Sequence, residues 1–326
     1  MPVGQQVTAA NIVARAPDIS NFQIVEASEL IDVQPDDLLE HLLVKEGDLI
    51  SKGTPLMQKK TIFGQNKVFR SPAEGYLHQI RDGCLVIEMV GESIELRAML
   101  PGRIVSIVPD RGVIIEAHGS VIQTRWDSGK DGFGKLMFTS PEPDSVLDPD
   151  LPGKSIHGMV LIAGRVTTPQ VFEHLHDFGA RGLIVGSLSY QLSELARQIE
   201  FPVVATEGLG EQAISKPIFD LLQQSQGRQA SLFSASSGWL GQRGEIVIPL
   251  PTTSYPPNPT PEEDQLNVGS MVRILHSGST PLVGIVKQIY EQPRRSKSGI
   301  FSPGADVELE DGQNMFVNIH NLDKLF

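Results

Sequence analysis

The chain has 326 residues, of which 40% are apolar and 20% charged, with a formal net charge of −12 and a single cysteine. That length supports two or three domains with real cores, and the composition is that of an ordinary globular protein. The acidic balance argues against a mainly electrostatic grip on nucleic acid or an anionic membrane, and one cysteine excludes a disulfide framework or a cysteine-based metal cluster.

Residues 1–21 read as an N-terminal segment without the basic start and apolar h-region of a signal peptide. The longest apolar runs, such as 158–163 and 202–205, fall far short of the roughly 20 residues that span a bilayer. A cytoplasmic location with no membrane partner is therefore expected.

Residues 22–140 read as an all-β module. Short apolar runs recur there, separated by Glu46-Gly47-Asp48, Lys52-Gly53-Thr54-Pro55, Phe63-Gly64-Gln65-Asn66, Arg81-Asp82-Gly83 and Pro109-Asp110-Arg111-Gly112. In such turns glycine supplies positive φ, proline presets its own φ, and Asp or Asn closes the turn locally. One near-repeat stands out: Glu74-Gly75-Tyr76-Leu77-His78-Gln79-Ile80, with Gly83-Cys84-Leu85-Val86-Ile87-Glu88, is echoed by Pro101-Gly102-Arg103-Ile104-Val105-Ser106-Ile107, with Gly112-Val113-Ile114-Ile115-Glu116. Each copy has a glycine, a turn with a second glycine, and a branched apolar run closed by glutamate. A single helical turn over 35–42 interrupts, opened by Pro35 and an acidic first turn. Cys84 falls in a predicted strand and reads as a small buried hydrophobe.

From about Gly153 the rhythm changes, and residues 150–248 read as an α/β domain. Strands are predicted over 157–163, 183–185, 202–205 and 244–248. Helices are predicted from Pro169 to Gly179 and over 188–199 and 211–224. Thr168 reads as an N-cap with Pro169 at the first helical position; Val171, Phe172, Leu175 and Phe178 mark one face before Gly179 ends the helix. Strands alternating with helices imply a parallel sheet with helical crossovers. Residues 249–265 hold six prolines and the acidic run Glu262-Glu263-Asp264, the composition of an extended linker. Residues 266–326 return to short strands, with Asp311-Gly312 as a hairpin turn, and describe a small barrel.

The half-motifs Glu46-Gly47-Asp48-Leu49-Ile50-Ser51-Lys52-Gly53…Leu56 and Ser71-Pro72-Ala73-Glu74-Gly75-Tyr76-Leu77 resemble the biotinyl/lipoyl-like, or barrel-sandwich hybrid, domains over about 50 residues. In carriers of that family a modified lysine occupies a hairpin tip. Here Phe63-Gly64 stands in that place and the nearby Lys59, Lys60 and Lys67 do not, so the resemblance implies a non-carrying interaction module. The tail, through Val268-Gly269-Ser270-Met271-Val272-Arg273-Ile274, Gly284-Ile285-Val286 and Asn321-Leu322, looks like a KOW or SH3-like barrel. That resemblance implies binding to RNA, to ribosomal or transcription components, or to protein. The stretch Gly179-Ala180-Arg181-Gly182-Leu183-Ile184-Val185-Gly186, with Phe201-Pro202-Val203-Val204, is similar in rhythm to swivelling β/α modules such as protease-associated domains. The assembly as a whole looks like a bacterial family, a resemblance that implies no activity.

Ligand chemistry in the α/β domain belongs at the carboxyl ends of the central strands. Those ends carry Arg165, Ser187, Thr206, Glu207, Gly208 and Gly210, the last four leading into a predicted helix N-terminus whose N–H groups can hold an anion. Tight connection geometry explains the same glycines, because Gly208-Leu209-Gly210 lacks the third glycine of a dinucleotide fingerprint and no Gly-Lys-Ser/Thr follows. Ser187 and Ser189 read as helix caps. His174 and His176, two apart on a helix, point in different directions and cannot share a metal. Asp144, Asp148 and Asp150 read as a linker rather than a calcium loop, and Trp126 and Trp239 as core or interface residues. In the tail, Arg294, Arg295 and Lys297 can touch phosphate, although the loop lacks the stacking aromatics of a nucleic-acid surface.

No catalytic set, cofactor or metal site is expected. The expected function is that of a non-catalytic accessory or scaffold protein that docks a protein partner through its β modules. Two alternatives remain: a ligand-binding regulator or enzyme subunit using the strand ends, and an RNA- or ribosome-associated protein using the tail. The oligomeric state is left open.

Overall fold

In a computed structural model the chain is mostly β, built of several sheets of which one is mixed and contains parallel strands. The structure describes all residues except 17–20, 61–65, 90–92, 150–154, 236–242, 251–264, 276–280, 297–298 and 326. Two compact units form, one of residues 12–97 and one of residues 1–11 with 98–326.

Strand β1 (Gln6–Val7) belongs to the larger unit. Residues 12–97 follow as β2 (Ile12–Ala16), β3 (Phe22–Val25), helix α1 (Ala27–Ile31), a 3-10 segment Pro35–His41, β4 (Leu49–Ile50), β5 (Pro55–Lys60), β6 (Asn66–Arg70), β7 (Gly75–Arg81), β8 (Cys84–Met89) and β9 (Ile94–Arg97). Four of these make a sheet in the order β3-β8-β7-β4, while β5 pairs with β6 and β2 with β9. Successive side chains of a strand point to opposite faces. Val25, Ile50, Leu77, Leu85 and Ile87 therefore meet Ile31, Leu38, Leu56 and Met57 in one buried core. Cys84 is half-buried at the start of β8, rather than fully buried as its sequence context suggested. The tip between β5 and β6, with Phe63-Gly64, lies outside the described residues.

In the larger unit, β10 (Gly102–Val108) and β11 (Gly112–Glu116) add to β1 in the order β1-β10-β11. Next come β12 (Gly119–Gln123), β13 (Trp126–Asp127), β14 (Gly132–Phe138), β15 (Met159–Val166), α2 (Gln170–Asp177), β16 (Gly182–Leu188), α3 (Ser193–Gln198), β17 (Val203–Leu209), α4 (Lys216–Gln224), β18 (Gln229–Phe233) and β19 (Glu245–Pro249). Their eight strands form one mixed sheet, β12-β19-β18-β14-β15-β16-β17-β13, parallel from β14 to β17. Strands β12, β13 and β14, which the sequence groups with the preceding β region, thus run in this sheet. A short strand has the same pattern whichever sheet it joins, and its partners here are distant in sequence.

Central strand β16 is buried at every position, as an apolar run covered on both faces requires. Helix α2 lays Val171, Phe172 and Leu175 on one face against Leu161, Val185 and Val203, with Ala196 of α3 in the same cluster. Helix α4 lays Ile218, Phe219 and Leu222 on the other face against Val160, Ile162, Ile184 and Val204. Two helices start later than the expected bounds, 188–199 and 211–224. Strand β16 runs on to Leu188, paired with Leu209, so α3 begins only at Ser193. In a helix started at Glu211, Pro217 would lose the bond to the residue four before it and clash with that carbonyl. It sits instead in the first turn of α4, which begins at Lys216. Thr168 makes no capping bond; its Oγ1 is buried without a hydrogen-bond partner among the described residues.

Strands β20 (Met271–Ile274), β21 (Leu282–Arg295), β22 (Phe301–Leu309), β23 (Asn314–Asn318) and β24 (Leu322–Lys324) complete the larger unit, in the order β23-β22-β21-β20-β24. Val272, Ile274, Val286, Ala305, Val307 and Val317 form their core. Gly312 takes the positive φ, 79°, that the β22–β23 turn needs. Of the proline-rich stretch, 251–264 lies outside the described residues.

The sequence near-repeat is a repeat of structure. Hairpins β7–β8 and β10–β11 share one register and one bulge, at His78 and at Val105. Glycine is required at the head of each, because a Cβ on Gly75 would stand 2.1 Å from the Glu88 carbonyl oxygen and one on Gly102 2.4 Å from that of Glu116. Each hairpin also takes a two-residue strand on its first edge: Ile50 faces Gly75, and Val7 faces Gly102. Gly47 N–H donates to Leu77 O and Gly4 N–H to Ile104 O, both at 2.7 Å. The segment Gly4-Gln5-Gln6-Val7 is therefore a second copy of Gly47-Asp48-Leu49-Ile50, unrecognisable by residue type except for its glycine and final branched residue.

Candidate functional site

The parallel strands bring the predicted site residues together. Arg165 stands beside Ser187 and Ser187 beside Gly208 in register. The chain's own loops then cross this region. Residues 144–145 lie over Gly164, where a Cβ would stand 2.6 Å from Ser145 N and O; residues 212–214 lie over Gly186, where a Cβ would stand 2.5 Å from Ile214 N. Arg165 Nε donates to Asp144 O (3.0 Å), Ser187 Oγ to Gln212 O (2.8 Å) and Thr206 Oγ1 to Val185 O (3.3 Å). Gly208 and Gly210 hold φ of 96° and 140°, and Gly210 N–H donates to Leu188 O (2.9 Å). The glycines serve backbone geometry, and the polar groups face the protein.

Glu207 is the clearest case. Its side chain is 2% exposed and pairs with that of Arg273, equally buried, at 3.3 Å. Its Oε1 also accepts from the N–H of Ser215, the residue that precedes α4 (3.2 Å). A carboxylate of the protein itself thus occupies a helix N-terminus, the position where an external anion would be stabilised. Arg273 further donates through Nη1 to Thr206 O (2.7 Å), and through Nη2 to Gln123 O (2.9 Å) and Asp323 Oδ2 (2.8 Å). Asp323 also pairs with Arg243. Burial lowers the pKa of the neighbouring Arg125, and the Arg273 charge lowers it further, against the opposing pull of Glu207 and Asp323. Arg273 is what the sequence reading missed. Val272, Arg273 and Ile274 are all buried, so both faces of β20 are covered, and a charge inside such a strand was the available signal.

The tail hairpin differs from its sequence reading in one respect. Arg294 faces Ser302 and Arg295 faces Phe301 across β21–β22, and Phe301 is 68% exposed. The Arg294 guanidinium lies 3.9 Å from the ring centroid of Tyr290. The Tyr290 hydroxyl donates to Asp306 (2.8 Å), which raises its pKa. The aromatic companions absent from the loop are thus supplied by the strands beneath and opposite. Lys297 lies outside the described residues.

A third surface lies on residues 12–97. Phe22, Glu88, Tyr76 and Leu49 face one another in a single row across β3-β8-β7-β4, and Ile24 stands beside Val86 on the same face. Exposures are 50% for Phe22, 66% for Ile24, 47% for Tyr76 and 61% for Leu49. His78, in the bulge, meets Phe22 edge-on at 5.6 Å and Glu88 at 3.4 Å. Between helices α2 and α3, Phe172, Leu195 and Ile199 of the larger unit line a groove of about 300 Å³ together with Glu173, Asp177 and Glu200.

Among the described residues no helix is long and apolar enough to cross a membrane. Comparison of the chain with family models found no match, and neither did comparison with curated proteins.

Proposed function

We propose that this chain is a non-catalytic docking protein whose barrel-sandwich-like unit, residues 12–97, binds a protein partner through the outer face of β3-β8-β7-β4. One observation carries this reading: the sheet is apolar on both faces, with its core inside and Phe22, Ile24, Tyr76 and Leu49 outside. Scattered exposed apolar residues are ordinary, but a contiguous patch of large side chains marks an interaction surface. Tyrosine and phenylalanine in such a patch supply the apolar anchors of interfaces. Glu88 sits in the row, and acidic residues outnumber basic ones in 12–97. The partner that fits presents an apolar surface flanked by Lys or Arg.

The test is purification from the native cell with wild type and the Tyr76→Asp/Leu49→Asp variant in parallel, with a photo-crosslinker placed at Phe22. A single partner crosslinked at Phe22, and bound at least about tenfold more weakly by the variant, is the expected result for anchors at an interface centre. Equal recovery with both proteins would overturn the reading.

The tail supports a second reading, RNA association, on the observation that one hairpin sets an aromatic ring beside a cation on each of its faces, Tyr290 with Arg294 and Phe301 with Arg295. Base stacking beside phosphate-pairing cations is the chemistry of single-strand binding. Binding should weaken steeply with salt and be lost on Arg294→Ala with Arg295→Ala; salt-insensitive binding in a filter assay would count against it.

A further inference from the structure

Among the described residues, the repeated β unit is complete in one copy and short of a strand in the other. In residues 12–97, β8 has β7 on one side and β3 on the other. Its counterpart β11 has β10 on one side and no strand on the other among the described residues. The burial of matched positions records the difference. Leu85 and Ile87 of β8 are 0% exposed, whereas their register equivalents Val113 and Ile115 are only half-buried. Ile114 between them is 52% exposed, and Ile107, opposite Val113, is 49% exposed. An unpaired edge with apolar side chains on both faces is a template for another strand.

We propose that this edge pairs with the same edge of a second copy of the chain, in an antiparallel ladder with two-fold symmetry centred on Ile114. The argument for a second copy is charge complementarity. Arg111 precedes the strand and Glu116 ends it, so antiparallel pairing with an identical strand brings opposite charges together at both ends of the ladder. Such a contact is isologous and closes after two subunits.

The register follows from the pleat. A two-fold axis normal to the sheet requires one residue to face its own copy, since facing residues point to the same side of the sheet. With Ile114 at the axis, Val113 faces Ile115 of the second copy on the inner side, and the two half-buried residues cover each other. Gly112 then faces Glu116 of the second copy, and Arg111, in the turn before Gly112 and so free of the strand's alternation, is one position from that carboxylate. Centring on Val113 or Ile115 shortens the overlap and separates the charges. Glu116 already lies 3.5 Å from Arg103 on its own hairpin, in an exposed pair, and keeps oxygen lone pairs free for a second cation. So short a ladder buries less than the roughly 1,200 Å² of stable interfaces, and the dimer is therefore weak and concentration-dependent. The inference does not depend on the docking face of residues 12–97.

Cysteine crosslinking of the full chain tests the register. In a Cys84→Ala background, Ile114→Cys is oxidised with copper phenanthroline beside Val113→Cys. Facing residues of an antiparallel pair lie within disulfide reach, about 4.5–5.5 Å between Cα atoms, and only position 114 faces itself. A covalent dimer at position 114 with little at 113 is expected. Sedimentation velocity without oxidant should show dimer rising with concentration in wild type and falling at least about tenfold in Ile114→Lys. It should also fall with Glu116→Arg and return when Arg111→Glu is added. Monomer at every concentration, or equal crosslinking at 113 and 114, overturns the proposal.

Discussion

Replacing Arg273 with alanine is expected to destabilise the protein by about 3–5 kcal/mol, because it takes the ion-pair partner from the buried Glu207 carboxylate and leaves that of Asp323 to Arg243. Glu207 and Asp323 are 2% and 7% exposed at their side chains, and Arg273 is the cation that both share. The carbonyls of Thr206, buried, and Gln123, part-buried, lose a donor in the same step, and the unmet buried acceptor adds to the loss. Urea unfolding of the full chain measures the effect. The control is a triple variant, Arg273→Met with Glu207→Gln and Asp323→Asn, which removes those three charges together and leaves only the partly exposed Arg243 without its carboxylate. It should lose distinctly less, since a buried network exchanged for neutral groups costs little or nothing while a broken one leaves a charge unpaired. A single-variant loss below about 1 kcal/mol would mean that the cluster is effectively solvated, as exposed ion pairs are. Glu207→Ala, the natural probe of a strand-end ligand, therefore reports on this cluster: a fall in its melting temperature is expected with no ligand present.

Gly186→Ala and Gly164→Ala are each expected to destabilise by about 1–3 kcal/mol or more. The new methyl would meet backbone atoms at 2.5–2.6 Å, and backbone cannot rotate aside as a side-chain end can. In Gly186→Ala the segment 212–214 must lift, so the Ile214 amide, which donates to Pro143 O at 3.0 Å, should lose protection in hydrogen exchange before the sheet does. Unchanged stability together with unchanged Ile214 protection would show that the loops are not seated as described. Lifted loops free Ser187 from Gln212, so the same variants show what exposing the strand ends does for a small anion.

Much of the fold was legible from local chemistry. The run Leu183-Ile184-Val185 reads as a strand, and Val171, Phe172 and Leu175 as one helical face, since both patterns depend on residues close in sequence; Phe178, read on the same face, is exposed. Pro217 shows a signal that was present but passed over: the Gly208-Leu209-Gly210 turn suggested a helix from Glu211 onward, while the missing N–H of Pro217 placed it in the first turn. Arg165, Ser187, Thr206, Glu207, Gly208 and Gly210 were correctly grouped at the strand ends by the βα rhythm. What those groups bond to was not legible, because Ser187 answers to Gln212 and Glu207 to Arg273, and nothing near either residue announces the partner.

From its residues alone the chain settles its periodicities, its turns and its duplicated glycine-led hairpin, because backbone sterics and alternation act within a few positions. Tertiary structure decided which sheet β12 to β14 joined, that Gly4-Gln5-Gln6-Val7 completes the second hairpin, and that Arg273 binds Glu207 and Asp323. Those are pairings between segments tens to hundreds of residues apart, set by which surfaces bury one another and which charges must be satisfied once water is excluded. The edge of β11 belongs to the same class: its residues match those of β8, and only the lack of a second neighbouring strand among the described residues tells them apart.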